Sequence, residues 1–358
     1  MLFDKFSARS LQLTNRMVMA PLTRSRATPE HMPNALMATY YGQRATAGLI
    51  ITEGTSPSPH GLGYPRIPGL YDEAQAAAWK ATTSAVHAQR GKIFVQFMHC
   101  GRVAHGANLP AGAEVLGPGT AVCPGEMVTD AQGLQPHSPP RAMSNDDLLH
   151  VVDEHVIAAK LAMDAGFDGV ELHGANGYLI EQFLNPLVNL RSDGYGGSIE
   201  RRNRLALEIA RATVAAIGRD RVGIRLSPYG VFNGTGEFPE VQAQYLVLVH
   251  SLSALGLLYV HLVDHSSMGA PPVPADFKLK LREGFDGLFI LSGGFDRASA
   301  EQALTDKRGD LIAFGRPFLA NPDLVARMRQ DAPLNAPDAA TFYVPGAKGY
   351  TDYPPLAA

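Results

Sequence analysis

Hydrophobic positions along this chain alternate between two rhythms. Short runs rich in β-branched and other apolar residues occur at 16–20 (RMVMA), 48–53 (GLIITE), 92–97 (KIFVQF), 167–172 (FDGVEL), 222–226 (VGIRL), 257–263 (LLYVHLV), 286–291 (DGLFIL) and 310–314 (DLIAF). Each is nearly continuously apolar, the pattern of a strand covered on both faces. Between and after them, longer stretches carry the helical period: 33–47, 73–90, 145–165, 199–217, 239–256, 275–284, 296–307 and 321–330. Local punctuation supports several. Ser144 or Asn145, just before Asp146 and Asp147, opens the third helix, Gly166 closes it, and Gly218 closes the fourth.

Eight strands, each followed by a helix, predict an α/β fold of the (β/α)8 TIM-barrel class. An open doubly wound sheet would place a glycine-rich dinucleotide turn after the first strand. The chain has Ala20-Pro21-Leu22-Thr23 there instead. Two stretches break the alternation. Residues 98–144 are rich in Gly, Pro and Ala and lack a long helical period, which predicts a capping insertion after strand three. Residues 331–358 form a Pro- and Tyr-containing tail. No internal repeat or linker divides the chain, so 1–358 is read as one domain with 98–144 inside it.

Composition narrows the function classes. With 358 residues and 46% hydrophobic content, the chain has ample material for a core. A net charge of −3 provides no field for nucleic acid. Cys100 and Cys123 lack metal-ligand spacing, so no metal site and no disulfide framework are expected. The first residues lack the apolar core of a secretory leader, and no run of about 18 apolar residues occurs. The expectation is a cytoplasmic protein without a membrane span.

Barrel enzymes place their chemistry at the C-terminal ends of the strands. Here those ends converge in residue type. Strand one runs into Thr23, strand two into Glu53 and Gly54, strand three carries Gln96 and then His99, and strand four runs into His173. Strand five carries Arg225, strand seven leads to Ser292-Gly293-Gly294, and strand eight to Gly315-Arg316. Gly293 and Gly294 let backbone N–H groups approach an anion, the helix near Asp296 adds a positive dipole end, and Arg316 adds a charged donor. The alternative is a pair of ordinary turns. Arg225, inside VGIRLSP, is buried by pattern and needs a partner. That partner is either an electron-rich cofactor edge or a core carboxylate such as Glu171 or Glu53.

The sharpest motif is His173-Gly-Ala-Asn176-Gly-Tyr178. His173 and Asn176 can both donate to one oxygen and stabilise negative charge developing on it. A tyrosine, with an ordinary pKa of about 10, can deliver a proton to a carbanion or enolate at neutral pH. Packing of the barrel rim is the other reading of the same residues.

Many collinear segments resemble the old yellow enzyme family of FMN-dependent NAD(P)H oxidoreductases, in its bacterial branch of pentaerythritol tetranitrate, morphinone and N-ethylmaleimide reductases. They include NRMVMAPLTRSRA at 15–27, YYGQRATAGLIITEGT at 40–55, GYPRIPGLY at 63–71, VELHGANGYLIEQFL at 170–184, RSDGYGGSIE at 191–200, RLSP at 225–228, IAFGRPFLANPDL at 312–324 and GYTDYP at 349–354. The resemblance implies non-covalent FMN at the strand C-termini and NADPH or NADH as reductant. It implies cofactor contacts from Pro21, Leu22, Thr23, Gly54, Gln96, Arg225, Gly293, Gly294, Gly315 and Arg316. Thr23 would bond the flavin O4, Gln96 its pyrimidine edge, and Arg225 the N1 side. His173 and Asn176 would grip the substrate's activating oxygen, with Tyr178 as proton donor and Tyr64, Met98 and Tyr343 as further pocket residues.

The implied reaction is ping-pong reduction of electrophilic alkenes, α,β-unsaturated carbonyl compounds and nitroalkenes, with nitrate esters or nitroaromatics as further substrates. A flavin-binding barrel without turnover is the other reading, and the presence of Tyr178 with both donors favours the enzyme. Relatives with an iron–sulfur cluster need a cysteine set that two cysteines do not supply. The chain departs from the family in three places. Met98 stands where the family usually has Trp, reshaping the pocket wall. Glu200-Arg201-Arg202 replaces Glu-Asn-Arg. Val344-Pro345-Gly346 follows Tyr343 and stiffens the tail over the site.

Overall fold

The eight apolar runs pair edge to edge into a closed parallel barrel in the computed structural model, which describes residues 1–356. Its strands are β1 (Met17–Met19), β2 (Leu49–Thr55), β3 (Ile93–Phe97), β4 (Gly169–Gly174), β5 (Val222–Leu226), β6 (Tyr259–Val263), β7 (Leu288–Ser292) and β8 (Leu311–Phe314). Each strand pairs with its sequence neighbour, and β8 returns to β1. Every residue in these strands is buried. Sandwiched between barrel interior and helices, they have no wet face, which is why their sequences do not alternate.

Two strand ends differ from expectation in ways that matter for the site. The fourth strand runs two residues past its expected end, so His173 lies inside β4, level with Arg225 of β5 and His261 of β6. The second runs on to Thr55, with a register shift between Ile51 and Gly54 that sets Gly54 beside Gln96.

All eight expected helices form, most of them trimmed: α1 (Ala35–Gln43), α2 (Glu73–His87), α3 (Asn145–Asp164), α5 (Ile199–Ile217), α6 (Val241–Ala254), α7 (Ala275–Glu283), α8 (Arg297–Thr305) and α10 (Leu324–Gln330). Two short ones, α4 (Leu179–Leu184) and α9 (Arg316–Ala320), were not anticipated. Ser144 caps α3 in a reciprocal pair with Asp147, and left-handed Gly166 follows its end. The stretch 321–330 shortens to α10 because Asn321 is extended and Pro322 follows it.

The barrel's closed end is covered by an antiparallel hairpin, Phe6–Ala8 with Leu11–Leu13. Its Leu11 and Leu13 pack with Val18, Leu49, Phe94, Leu258 and Leu311. At the other end the stretch 98–144 folds into a hairpin, Glu126–Thr129 with Gly133–Pro136, plus a two-residue pairing of Leu116–Gly117 with Arg141–Ala142. Its Val103, Cys123 and Met127 pack against Tyr64 and Tyr178, so the stretch touches the mouth.

The tail also reaches the mouth, fastened by guanidinium groups. Arg26 donates to the carbonyls of Thr341 (2.7 Å), Phe342 (2.7 Å), Gly346 (3.3 Å) and Lys348 (3.0 Å). Arg24 donates to those of Phe342 (3.2 Å) and Gly349 (2.7 Å). Arg44 reaches the carbonyl of Tyr350 (3.4 Å). Among the described residues no helix is long and apolar enough to cross a membrane.

Candidate active site

A cavity of about 540 Å³ opens at the C-terminal ends of the strands. The size suits a small-molecule site. Pro21, Leu22 and Thr23 line it after β1, Gln96 and Met98 at the end of β3, and His173, Asn176 and Tyr178 from β4 onward. Arg225 enters from β5, Gly293 and Gly294 follow β7, Gly315 and Arg316 follow β8, and Tyr343 arrives on the tail.

Gly54 and Tyr64 stand one layer back. A Cβ on Gly54 would lie 2.5 Å from the Met98 sulfur, so the methionine covers the glycine and presents its own side chain to the cavity. Tyr64 lies behind Tyr178, the two phenol oxygens 2.9 Å apart.

Arg225 is the least satisfied group here. It is 7% exposed, its side chain makes no hydrogen bond or ion pair among the described residues, and its Nε is buried without a partner. Neither expected carboxylate takes it. Glu171 is engaged by Gln96 Nε2 at 2.7 Å and His261 Nδ1 at 2.9 Å. Glu53 accepts from the Arg24 backbone and the Tyr41 hydroxyl. Glu171 favours the charge only from beyond ion-pair distance, and a buried guanidinium without a direct partner is costly, so the cavity is electrostatically prepared for an electron-rich ligand edge.

The ends of β7 and β8 offer a second anion cradle. Gly293 and Gly294 have φ of 135° and 69°, and a Cβ on Gly293 would collide with the Asp264 carbonyl at 2.2 Å. Glycine is therefore required, and both residues line the cavity, where exposed backbone N–H groups can serve an anion. Arg316 is exposed and forms no ion pair among the described residues. The expected contribution of the helix at Asp296 is corrected. The Asp296 carboxylate itself caps α8 by accepting from Ser299 N at 2.8 Å, so that helix end already holds an anion. FMN has an electron-rich ring edge and a terminal phosphate, and these two cradles match that pairing.

His173 Nδ1 accepts from the Ala175 backbone N–H at 3.3 Å. Burial, reinforced by Arg225, holds the imidazole well below its usual pKa. A neutral ring accepting at Nδ1 carries its proton on Nε2, where it is a donor. Asn176 has φ of 59°, a left-handed conformation that asparagine tolerates. Ser227 Oγ accepts from its backbone N–H at 2.9 Å, and Asn233 Nδ2 donates to its carbonyl at 2.8 Å. Burial, then Tyr64, raise the Tyr178 phenol well above its usual pKa, so it stays protonated at neutral pH. The His173 and Tyr178 rings meet edge to face at 5.0 Å.

Strand six was absent from the expected mouth, yet Asp264, His265, Ser267 and Met268 line the cavity. The signal was present, since VDHSS puts polar residues directly after an apolar strand like those read elsewhere. Phe295 and Phe342 also line the cavity. They sit in irregular segments that no periodicity marks.

The sequence model of the NADH:flavin oxidoreductase / NADH oxidase family matches residues 1–335. A solved morphinone reductase is 43% identical, with a TM-score of 0.95 over 99% of this chain and 96% of its own. The solved old yellow enzyme homologue from Zymomonas mobilis is 38% identical, with a TM-score of 0.93 over 99% of both chains. A Leishmania infantum protein named as a probable flavin mononucleotide-dependent alkene reductase is 40% identical over 348 residues, 96% of this chain and 94% of its own.

Proposed function

The chain belongs to the NADH:flavin oxidoreductase / NADH oxidase family, the FMN-dependent old yellow enzyme group, and we propose that it reduces the C=C bond of α,β-unsaturated carbonyl compounds and nitroalkenes at the expense of NAD(P)H. Bound FMN would supply the hydride chemistry, taking two electrons from the nicotinamide and passing them to the alkene when the second substrate uses the same site. Arg225 would hold the electron-rich ring edge of FMN, with Thr23 and Gln96 at its other polar edges. Gly293, Gly294, Gly315 and Arg316 would hold its phosphate end.

One observation carries the reading: two neutral donors, His173 and Asn176, share a cavity with Tyr178, a phenol kept protonated. The donors grip the substrate's carbonyl or nitro oxygen and draw electron density from the double bond. As negative charge collects on that oxygen, neutral N–H groups fixed in place stabilise it without reorganising. Tyr178 gives its proton to the α-carbon, and Tyr64, in contact with its oxygen, is placed to help restore it. Met98, Phe342 and Tyr343 shape the wall that the rest of the alkene meets.

The test is direct. The purified, flavin-loaded protein is mixed anaerobically with NADPH, and then with 2-cyclohexenone. The flavin absorption is expected to bleach and then to recover. A flavin that bleaches and never recovers with any activated alkene would leave only the flavin-binding reading.

A further inference from the structure

The amide of Asn176 has two faces, a carbonyl that accepts and an NH2 that donates, and rotating χ2 by half a turn exchanges them. Only the NH2 is useful against a substrate oxygen. What selects it lies on the next strand but one. His265, two residues past the end of β6, puts Nε2 2.7 Å from Asn176 Oδ1. The oxygen has no hydrogen to give, so the imidazole donates and the amide carbonyl is turned away from the substrate. The NH2 then makes no hydrogen bond within the described protein and is left for the cavity.

The rest of the neighbourhood fixes this arrangement. The Asn176 backbone is held by Ser227 and Asn233, so the side chain's origin cannot wander. His265 is placed by its loop. Asp264 accepts from Ser266 N at 2.9 Å and pairs with Lys278 of α7 at 2.5 Å, while the His265 carbonyl accepts from Met268 N at 2.8 Å. The Phe232 ring meets the imidazole edge to face at 4.6 Å. Burial and Arg225 pull its pKa to about 4, which leaves one ring proton at neutral pH.

We propose that His265 is a positioning residue that sets the sense of the Asn176 amide and so makes it a donor toward the substrate's activating oxygen. The assignment rests on the ene-reductase reading of the donor pair. Without the imidazole donor, the amide is free to present its carbonyl, which repels a substrate oxygen. A glutamine at 265 can supply an N–H in place of Nε2; a leucine cannot.

The experiment uses the full-length, flavin-loaded protein and titrates 4-hydroxybenzaldehyde, whose phenolate oxygen accepts hydrogen bonds, through the change in flavin absorption. His265→Leu is expected to weaken binding about tenfold, the scale of one oriented hydrogen bond to a charged acceptor, with His265→Gln within about threefold of wild type. In an Asn176→Ala background, His265→Leu is expected to add no further loss. Retained flavin and an unchanged flavin spectrum establish that each variant folds. Wild-type affinity in His265→Leu, no recovery in His265→Gln, or a full further loss in the Asn176→Ala background would each overturn the assignment. If the wild type itself binds no phenol, the ene-reductase reading falls and takes this one with it.

Discussion

At the closed end of the barrel, Leu11 and Leu13 of the N-terminal hairpin cover Val18, Leu49, Phe94 and Leu311. At the open end β3, β4 and β5 carry Gln96, His173 and Arg225, and the side chain of the last has no hydrogen-bond or ion-pair partner in the described protein. Along β3 the two regimes lie two residues apart, with Phe94 in the closed-end cluster and Gln96 at the cavity. One end is packed to hold the fold, while the other keeps a cation, two neutral donors and a phenol facing space. The difference teaches that local stability has been given up where chemistry is to occur: the closed end gains from every contact, and the open end carries a buried cation without a direct partner until a ligand arrives.

Substitutions at each end test that division. The largest effect is expected from Tyr178→Phe. It should slow alkene reduction about 100-fold or more and leave flavin reduction by NADPH within a few-fold, read by stopped-flow absorbance of each half-reaction. Equal losses in both halves would mean that Tyr178 shapes the site rather than donating a proton. Next comes Leu13→Ala at the closed end. It should lower unfolding free energy by about 2–5 kcal/mol while turnover per bound flavin stays unchanged. A loss of turnover in the folded, loaded variant would show that the two ends are coupled.

The smallest and most discriminating effect is that of Arg225→Met. Removing an unpaired buried charge should raise the stability of the flavin-free protein by on the order of 1 kcal/mol, and should weaken FMN binding about tenfold or more. Calorimetry of the flavin-free form and fluorescence titration of FMN measure the two signs. A less stable flavin-free variant would contradict the description of Arg225 as a buried cation without a direct partner.

Most of the architecture was legible because a strand buried on both sides writes itself as an unbroken apolar run. Polar residues after such a run are then conspicuous, which is how His173, Arg225 and the Gly293-Gly294 turn stood out. What stayed hidden depends on contacts rather than periods. Gly54 and Tyr64 lie one layer behind the cavity, since the position of Gly54 follows from a register shift in β2 and from Met98 filling the space before it. The short helices α4 and α9 are too brief to show a period. His265 was readable by the same rule as its neighbours, but its partner is 89 residues away, and that pairing exists only once the barrel has closed.

The arginines that fasten the tail have a consequence for how this enzyme can change. Arg24, Arg26 and Arg44 address main-chain carbonyls from Thr341 to Tyr350, groups that every amino acid carries. The path of the segment is thus written in one part of the gene and its side chains in another. Residues such as Tyr343 and Val344 can be exchanged without loosening the fastening, so this rim of the pocket behaves as a replaceable cassette on a fixed mount, where new substrate preferences can be tried while the fold stays out of the experiment.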